Sequence, residues 1–581
     1  MSGSANDQLG KLVRKGALWT TLNVGLTRFG QFGIGIVVAR IIDPNAFGVF
    51  AVALTVLNIV INVSELGVSA ALIRGDAEDE RRIAPTVATI SVLTSSTLSL
   101  LMVALAPDLS RLLGAADATD AVRVLSITVF LAGFGAVPSA LLKRDFRQDR
   151  QFVADTASLV VSTALILPLA MAGWGAMALA WSRAGGQVVA VLILIAYSTR
   201  SVRFGFKRSE ARDLLVFGLP LTGSNIVGFL LINIDYIVIG RKLGAVPLGL
   251  YTLAFNMSGW PMNVFSSVVR SVALPAFARI REDTATLPKR FTGAAGNVAA
   301  VTFPVCAIMA GLATPLIVGV YGEKWRPAAA VLVWLAVLGA LRTVIELCLD
   351  FVVALGRTRW ILNLQLLWLI ALTPAMVIGV DADGIVGAGI VHSLVTAGIV
   401  LPACVWMLRL GGITPALFVR ALATIIIAAV GAGTLAHLVA ARVANPWLGC
   451  VAGGLVGVAA YAAMQRRRTR ILVQQLASRR NRNRVSLPDP DRTADPEGDP
   501  ARTISTVNDY PGLPLQRGAD AMSVGVLVDS PPTMPLLLRT YVPRARTAPP
   551  PPVVPAGPPA PAGPPTSPAR GRRAGGRHRR R

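Results

Sequence analysis

The sequence predicts an all-α polytopic membrane protein of about 14 transmembrane helices, built as two six-helix lobes related by a parallel pseudo-repeat plus two extra helices. Three observations lead there. The 581 residues are 53% hydrophobic and 15% charged, with a mean hydropathy of +0.60, which is too apolar for an ordinary soluble domain. The apolar residues gather into runs of membrane length. Short stretches of sequence then recur about two hundred residues further on.

A hydrocarbon core about 30 Å thick takes about 20 helical residues to cross. Runs of that length, bounded by charge, Gly or Pro, fall at 17–39, 46–66, 83–105, 121–142, 153–172, 175–197, 214–239, 247–270, 292–321, 328–350, 360–379, 384–407, 416–440 and 446–464. They are numbered spans 1 to 14. Lys11, Arg14 and Lys15 before span 1 resemble the start of a signal peptide. That run passes twenty residues with no small-x-small cleavage site, so it reads as an uncleaved first span. Asp381-Ala382-Asp383 between spans 11 and 12 only mimics a glycosyltransferase DxD, in a loop of about four residues. Cys306, Cys348, Cys404 and Cys450 each sit inside an apolar run with no metal-ligand spacing, and read as small core hydrophobes.

Charge supports this span count, because a wrong number would scramble the alternation of basic and non-basic loops. With a cytoplasmic N-terminus, 23 Lys/Arg fall in cytoplasmic segments before the tail and seven on the other side. An even number of spans returns the C-terminus to the cytoplasm, where Arg466 to Arg484 forms a basic juxtamembrane segment, 465–484, suited to anionic lipid. Residues 485–581 hold 21 of the 38 prolines and few aromatics, so they are expected to be a disordered Pro/Arg-rich tail. The tail has neither aromatic nor fold support for binding nucleic acid. Docking to cytoplasmic proteins is the partner role expected for it.

The repeat is legible residue by residue. Arg40, Ile42, Phe47, Gly48 and Phe50 between spans 1 and 2 match Arg241, Leu243, Leu248, Gly249 and Tyr251 between spans 7 and 8, 201 residues later. Pro107 to Gly114 resembles Pro315 to Gly322, and Ala140, Leu141 and Lys143 resemble Ala354, Leu355 and Arg357. Six spans per copy give both copies the same orientation, with the transport path between them. The expected units are an N-terminal lobe 1–212, a C-terminal lobe 213–410 and an extra helix pair 411–464.

From Gly16 to Gly75, with its Phe47-Gly48-Val49-Phe50 and Glu65-Leu66-Gly67, the chain resembles the polysaccharide-export branch of the multidrug/oligosaccharidyl-lipid/polysaccharide flippase superfamily, the Wzx-type repeat-unit flippases. Phe217 to Pro220, Ile239-Gly240-Arg241, Leu274 to Phe277, Gly322 to Trp325 and Ala354 to Thr358 carry the likeness through the second half, over about residues 10 to 410. The resemblance implies a flippase in the cytoplasmic membrane. Its cargo would be an undecaprenyl-pyrophosphate-linked oligosaccharide, turned from inner to outer leaflet by alternating access, for polysaccharide or lipopolysaccharide export. By analogy with the lipid II flippases, spans 13 and 14 would form a groove for the lipid tail. Two alternatives stand beside it: an ion-coupled extruder of small molecules in the same superfamily, and a membrane-embedded polysaccharide polymerase or ligase. The second needs a large extracytoplasmic loop, and the outside loops here are short. No Walker loop, HExxH or GxSxG constellation occurs, so no enzyme activity and no cofactor are expected.

Such a cargo asks for a cationic, polar cavity, and charge inside a span is costly, about 2.5 to 3.5 kcal/mol on insertion scales. Arg28 in span 1, with Thr27 and Gln31 on the same side of the helix, is a pyrophosphate contact or an arginine tied to nearby carbonyls. Arg270 at the end of span 8 is a headgroup contact or an interfacial anchor. Arg183 in span 6 is a weaker cavity candidate. Arg342, Glu346 and Asp350 share a face of span 10 at i, i+4 spacing, and form a self-neutralising pair with a neighbour or a site for the coupling ion. Asp235 in span 7 and Glu65 in span 2 are further ion or cavity candidates. His392 and His437, single histidines in apolar helices, read as satisfied by a neighbour.

Overall fold

In the computed structural model the described residues are 30–64, 77–198, 204–259, 287–355 and 357–466, with Leu26 and Leu72. All regular structure among them is helical. In hydrocarbon every backbone N–H and C=O must be satisfied within the segment, so apolar runs of this length form helices. Ten of the described helices are long and apolar enough to cross a membrane, which makes this a multi-pass membrane protein. One of the ten, Arg359–Met407, carries spans 11 and 12 across a break at Asp383 and Gly384. Spans 1 and 8 of the expected fourteen run partly into residues outside the described ones.

The helix of span 2 is Pro44–Ser64, and span 7 is Arg208–Leu243. Within the first half, Ala77–Ala104 of span 3 packs on Thr119–Arg144 of span 4, and Gln148–Met171 of span 5 on Ala176–Tyr197 of span 6. In the second half Leu287–Gly311 of span 9 packs on Ala328–Ala354 of span 10, which packs on span 11. Span 2 crosses to pack on span 7, and one apolar core runs through both halves. The start of span 7 and the segment just ahead of it are tied to span 3. Glu210 accepts from Thr86 Oγ1 at 2.9 Å, and the Gly205 N–H donates to Thr89 Oγ1 at 3.1 Å.

One expected helix is interrupted. The run 292–321 forms Leu287–Gly311 and then Ala313–Tyr321. The cause is Pro315, which has no N–H to give to the carbonyl of Gly311 four residues back. That freed oxygen accepts from His437 Nδ1 of span 13 at 3.0 Å. Pro107 sits at the matching place in the first half, where span 3 likewise breaks, between Ala77–Ala104 and Ala106–Leu112. The turns agree too: Gly175 and Gly384, after spans 5 and 11, have φ of +51° and +55°.

Spans 13 and 14, Pro415–Ala440 and Pro446–Met464, form an antiparallel pair on span 9. Span 14 opens with Pro446 after Asn445, whose side chain accepts from the N–H groups of Trp447 and Leu448, an N-cap that satisfies two otherwise orphan donors. Tyr461 in span 14 donates to the carbonyl of Ala300 at 2.8 Å, which fixes the pair to span 9 at a second height.

The tightest contact lies where the two repeats meet. A Cβ on Gly48 would stand 1.7 Å from the carbonyl oxygen of Ala245, and a Cβ on Gly249 would stand 2.1 Å from that of Pro44. The contact is reciprocal, as at a two-fold axis, because 44 and 48 are the repeat positions of 245 and 249. Only glycine permits backbones so close. Gly48→Ala is therefore expected to lower stability by about 1–3 kcal/mol, the usual cost of forcing atoms into a packed site. Gly33→Ala, on a helix position with nothing within 4 Å of the added Cβ, should be neutral or stabilising. Thermal unfolding of the two purified variants checks the contrast, and equal melting would refute the crossing as a constraint.

Candidate functional site

The helices of spans 7, 8, 10, 11 and 12 converge on a fully buried carboxylate, Asp235 at 0% exposure. A buried charge needs donors around it or it is too costly to keep. Asp235 has two. Tyr251 donates its hydroxyl to Oδ2 at 2.7 Å, and the Tyr236 N–H donates to Oδ1 at 3.0 Å. His392 of span 12, 3% exposed, brings Nδ1 to 3.8 Å from Oδ2 and has no hydrogen-bond partner for that nitrogen. Arg342 of span 10 lies over the ring of Phe255, 5.9 Å from its centroid, and its charge acts on Asp235.

Local sequence explains the arrangement. Tyr251 and Phe255 are four residues apart, so they share a face of the same helix, and both rings meet Tyr236 edge-on at 6.0 and 5.7 Å. Trp368 of span 11 meets His392 at 6.4 Å and closes the cluster on its far side. At 3.8 Å the imidazole and the carboxylate are too far apart for a hydrogen bond, so a proton passes between them only if one side chain moves. A proton on His392 converts the contact into an ion pair with Asp235, and its loss leaves the acid to Tyr251 and Arg342.

At the end of the bundle where span 1 stops and span 2 starts, a second polar set bridges the halves. Arg40 donates to the carbonyls of Val320, at 2.8 Å, and of Gly319. In return Lys324 donates to the carbonyls of Arg40 at 3.0 Å and Ile42 at 2.8 Å, and Trp325 Nε1 to that of Ala39 at 2.8 Å. Each cation thus caps the C-terminal, partially negative end of the other half's helix. Partial desolvation against the carbonyls it donates to holds the Lys324 ammonium below its usual pKa, with the carboxylate of Asp43 opposing the shift.

Of the residues picked from sequence, Arg28, Arg270 and Glu65 lie outside the described residues. Gln31 and Arg183 are half-buried, on the helices of spans 1 and 6. Arg342, Glu346 and Asp350 are half-buried along span 10. The structure brings Asp235 and Arg342 together, although sequence grouped Arg342 only with acids of its own helix. Tyr251 and His392 were missed. Tyr251 carried a signal, because its repeat partner is Phe50 and a hydroxyl is what separates the two. His392 Nδ1 makes no hydrogen bond and stands 3.8 Å from Asp235 Oδ2, whereas His437 Nδ1 is held by the carbonyl of Gly311.

A model of the family described as "Polysaccharide biosynthesis protein" matches residues 37–330. The succinoglycan biosynthesis transport protein ExoT of Rhizobium meliloti (strain 1021) is 28% identical over 480 residues, 78% of this chain and 94% of that protein. The lipopolysaccharide biosynthesis protein WzxC of Escherichia coli (strain K12) is 24% identical over 64% of this chain and 76% of its own length. Among solved structures, the lipid II flippase MurJ in an inward closed conformation superposes with a TM-score of 0.66, at 13% identity, over 78% of this chain and 99% of its own. An inward-facing multidrug resistance MATE family transporter gives 0.56, at 18% identity, over 68% and 99%. Both likenesses are of fold.

If the Asp235 carboxylate depends on its donors, Tyr251→Phe leaves one oxygen short of a partner and should lower stability by about 1–3 kcal/mol. Phe50→Tyr, at the repeat position in the other half, adds a hydroxyl with no such acceptor and gives no gain. Thermal melts of the two variants decide this, and a Tyr251→Phe protein as stable as the wild type would remove the hydrogen bond from the account.

Proposed function

This chain belongs to the polysaccharide biosynthesis protein family, and we propose that it is a flippase moving a lipid-linked oligosaccharide from the inner to the outer leaflet of the cytoplasmic membrane. The observation that carries this reading is the alignment with ExoT over 94% of that relative, a protein named for transport in succinoglycan biosynthesis. The lipid in this reading is undecaprenyl pyrophosphate. Its polyprenyl chain stays in the bilayer, while the diphosphate and glycan need a polar passage between the lobes 1–212 and 213–410, which rock to give alternating access. Both termini are cytoplasmic, and the tail 485–581 docks assembly enzymes there.

In this scheme Arg28 and Arg270 hold the diphosphate, because a guanidinium keeps its charge and offers a fork of donors to phosphate oxygens. Arg183 and Gln31 line the same passage. The coupling ion is read by the buried set in the second lobe, with Asp235 and His392 taking the proton and Arg342 setting the balance of charge. Glu346, Asp350 and Glu65 are secondary positions for the ion. A fixed internal cation beside the acid keeps one net charge from accumulating in the membrane when the proton leaves.

Lipid analysis of cells depleted of the protein tests the reading. An undecaprenyl-pyrophosphate oligosaccharide should accumulate on the cytoplasmic side, and wild-type protein should clear it. Arg28→Ala at equal expression should not. Unchanged lipid-linked sugars on depletion, in a strain with no second flippase, would transfer the assignment to the small-molecule extruder. Within the complemented strain, Asp235→Asn should cut export at least tenfold, about 1.4 kcal/mol in the limiting step, and wild-type export by this variant would take the cluster out of the transport cycle.

A further inference from the structure

The two halves meet in repeat-related contacts that are built from different chemistry. On one side, Leu113 and Gly114 lie against Gly240. A Cβ on Gly114 would stand 1.8 Å from the Gly240 oxygen, and one on Gly240 would stand 2.7 Å from the Leu113 oxygen. Among the described residues no side-chain hydrogen bond crosses this contact. On the other side, Lys324, Trp325 and Arg40 make five side-chain hydrogen bonds to carbonyls of the opposite half. Trp325 is fully buried there, with the ring of Phe47 edge-on at 5.5 Å. At the repeat positions of Lys324 and Trp325 the first half has Ala116 and Asp117.

These contacts respond differently to motion. Smooth glycine surfaces meet backbone to backbone and have no interlocking side chains, so helices can roll on them without leaving contact. Hydrogen bonds at 2.8 to 3.0 Å are lost once the partners separate by roughly another ångström. The polar side also borders the extra helix pair. Gly319, whose carbonyl Arg40 holds, faces the Trp447 ring, 3.7 Å from where its Cβ would stand. Beyond it, Trp447, Leu448 and Val451 present exposed apolar side chains.

We propose that the halves part on one side only. The Arg40, Lys324 and Trp325 latch releases, while the glycine contacts Gly48–Gly249 and Gly114–Gly240 stay closed as the pivot. The seam that opens runs between span 1 and residues 313–325, beside spans 13 and 14, and is the way out for the cargo. The nature of the cargo, and this end being the extracytoplasmic one, rest on the flippase reading. The one-sided opening does not.

The test uses the full chain in lipid nanodiscs, in a Cys450→Ala background, since the other three cysteines are buried. One spin-label pair, Ile41→Cys with Arg326→Cys, spans the latch. A second, Leu112→Cys with Arg241→Cys, spans the pivot. Lys324→Gln and, separately, Trp325→Phe should each add a longer-distance population to the latch pair and leave the pivot pair unchanged. Lys324 is exposed, so its variant folds even if the Trp325 change does not. Equal widening of both pairs, or widening of neither, would overturn the proposal. In cells, a bifunctional thiol cross-link across the latch pair should abolish export and the same cross-link across the pivot pair should spare it. If depletion leaves lipid-linked sugars unchanged while the distances behave as stated, the flippase reading fails and the one-sided joint stands.

Discussion

Gly48 and Gly249 press backbone against backbone at the starts of two helices, and much of the remaining structure follows from that single approach. With no side chain between them, spans 2 and 8 are held at a fixed point, and each neighbour's position is set relative to it. Span 2 can then reach span 7, and the apolar core becomes continuous across both halves instead of forming two separate centres. The same closeness puts the C-terminal ends of span 1 and of the 313–321 helix within reach of each other's cations. A larger residue at either glycine would move all of these contacts together.

The architecture was legible in the sequence because it is written in local quantities. Run length, loop charge and turn residues each depend on a few neighbouring positions, and a repeat needs only comparison of the chain with itself. The break in span 9 was not read, although Pro315 was visible, because nothing local showed that His437 would occupy the carbonyl it frees. The buried cluster was harder. Asp235, Tyr251, Arg342 and His392 come from four helices, and only packing tells which carboxylate is fully enclosed and which imidazole stands beside it. Arg342 illustrates the limit. Its i, i+4 acids were obvious, whereas its place over Phe255 depends on how span 8 turns.

Duplication makes the differences between the halves informative. The repeat positions of Asp235, Tyr251 and Phe255 are Ile34, Phe50 and Leu54, so one copy has an ionisable centre where the other is apolar. The latch shows the same inequality, with Lys324 and Trp325 opposite Ala116 and Asp117. Proline breaks, turn glycines and crossing glycines are held in common. The shared features are those the scaffold requires, and the unshared ones are polar and concentrated in the second copy.

The reciprocal crossing also has a consequence for how the chain is made. Gly249 is synthesised 201 residues after Gly48, which at roughly 5–20 residues per second is a delay of roughly 10 to 40 s. Throughout that interval Gly48 has no Gly249 to pack against. Anchoring of Glu210 and Gly205 to span 3 shortens the search that follows. Those bonds hold the start of span 7 beside span 3, so the second copy's first helix begins next to the surface it packs on.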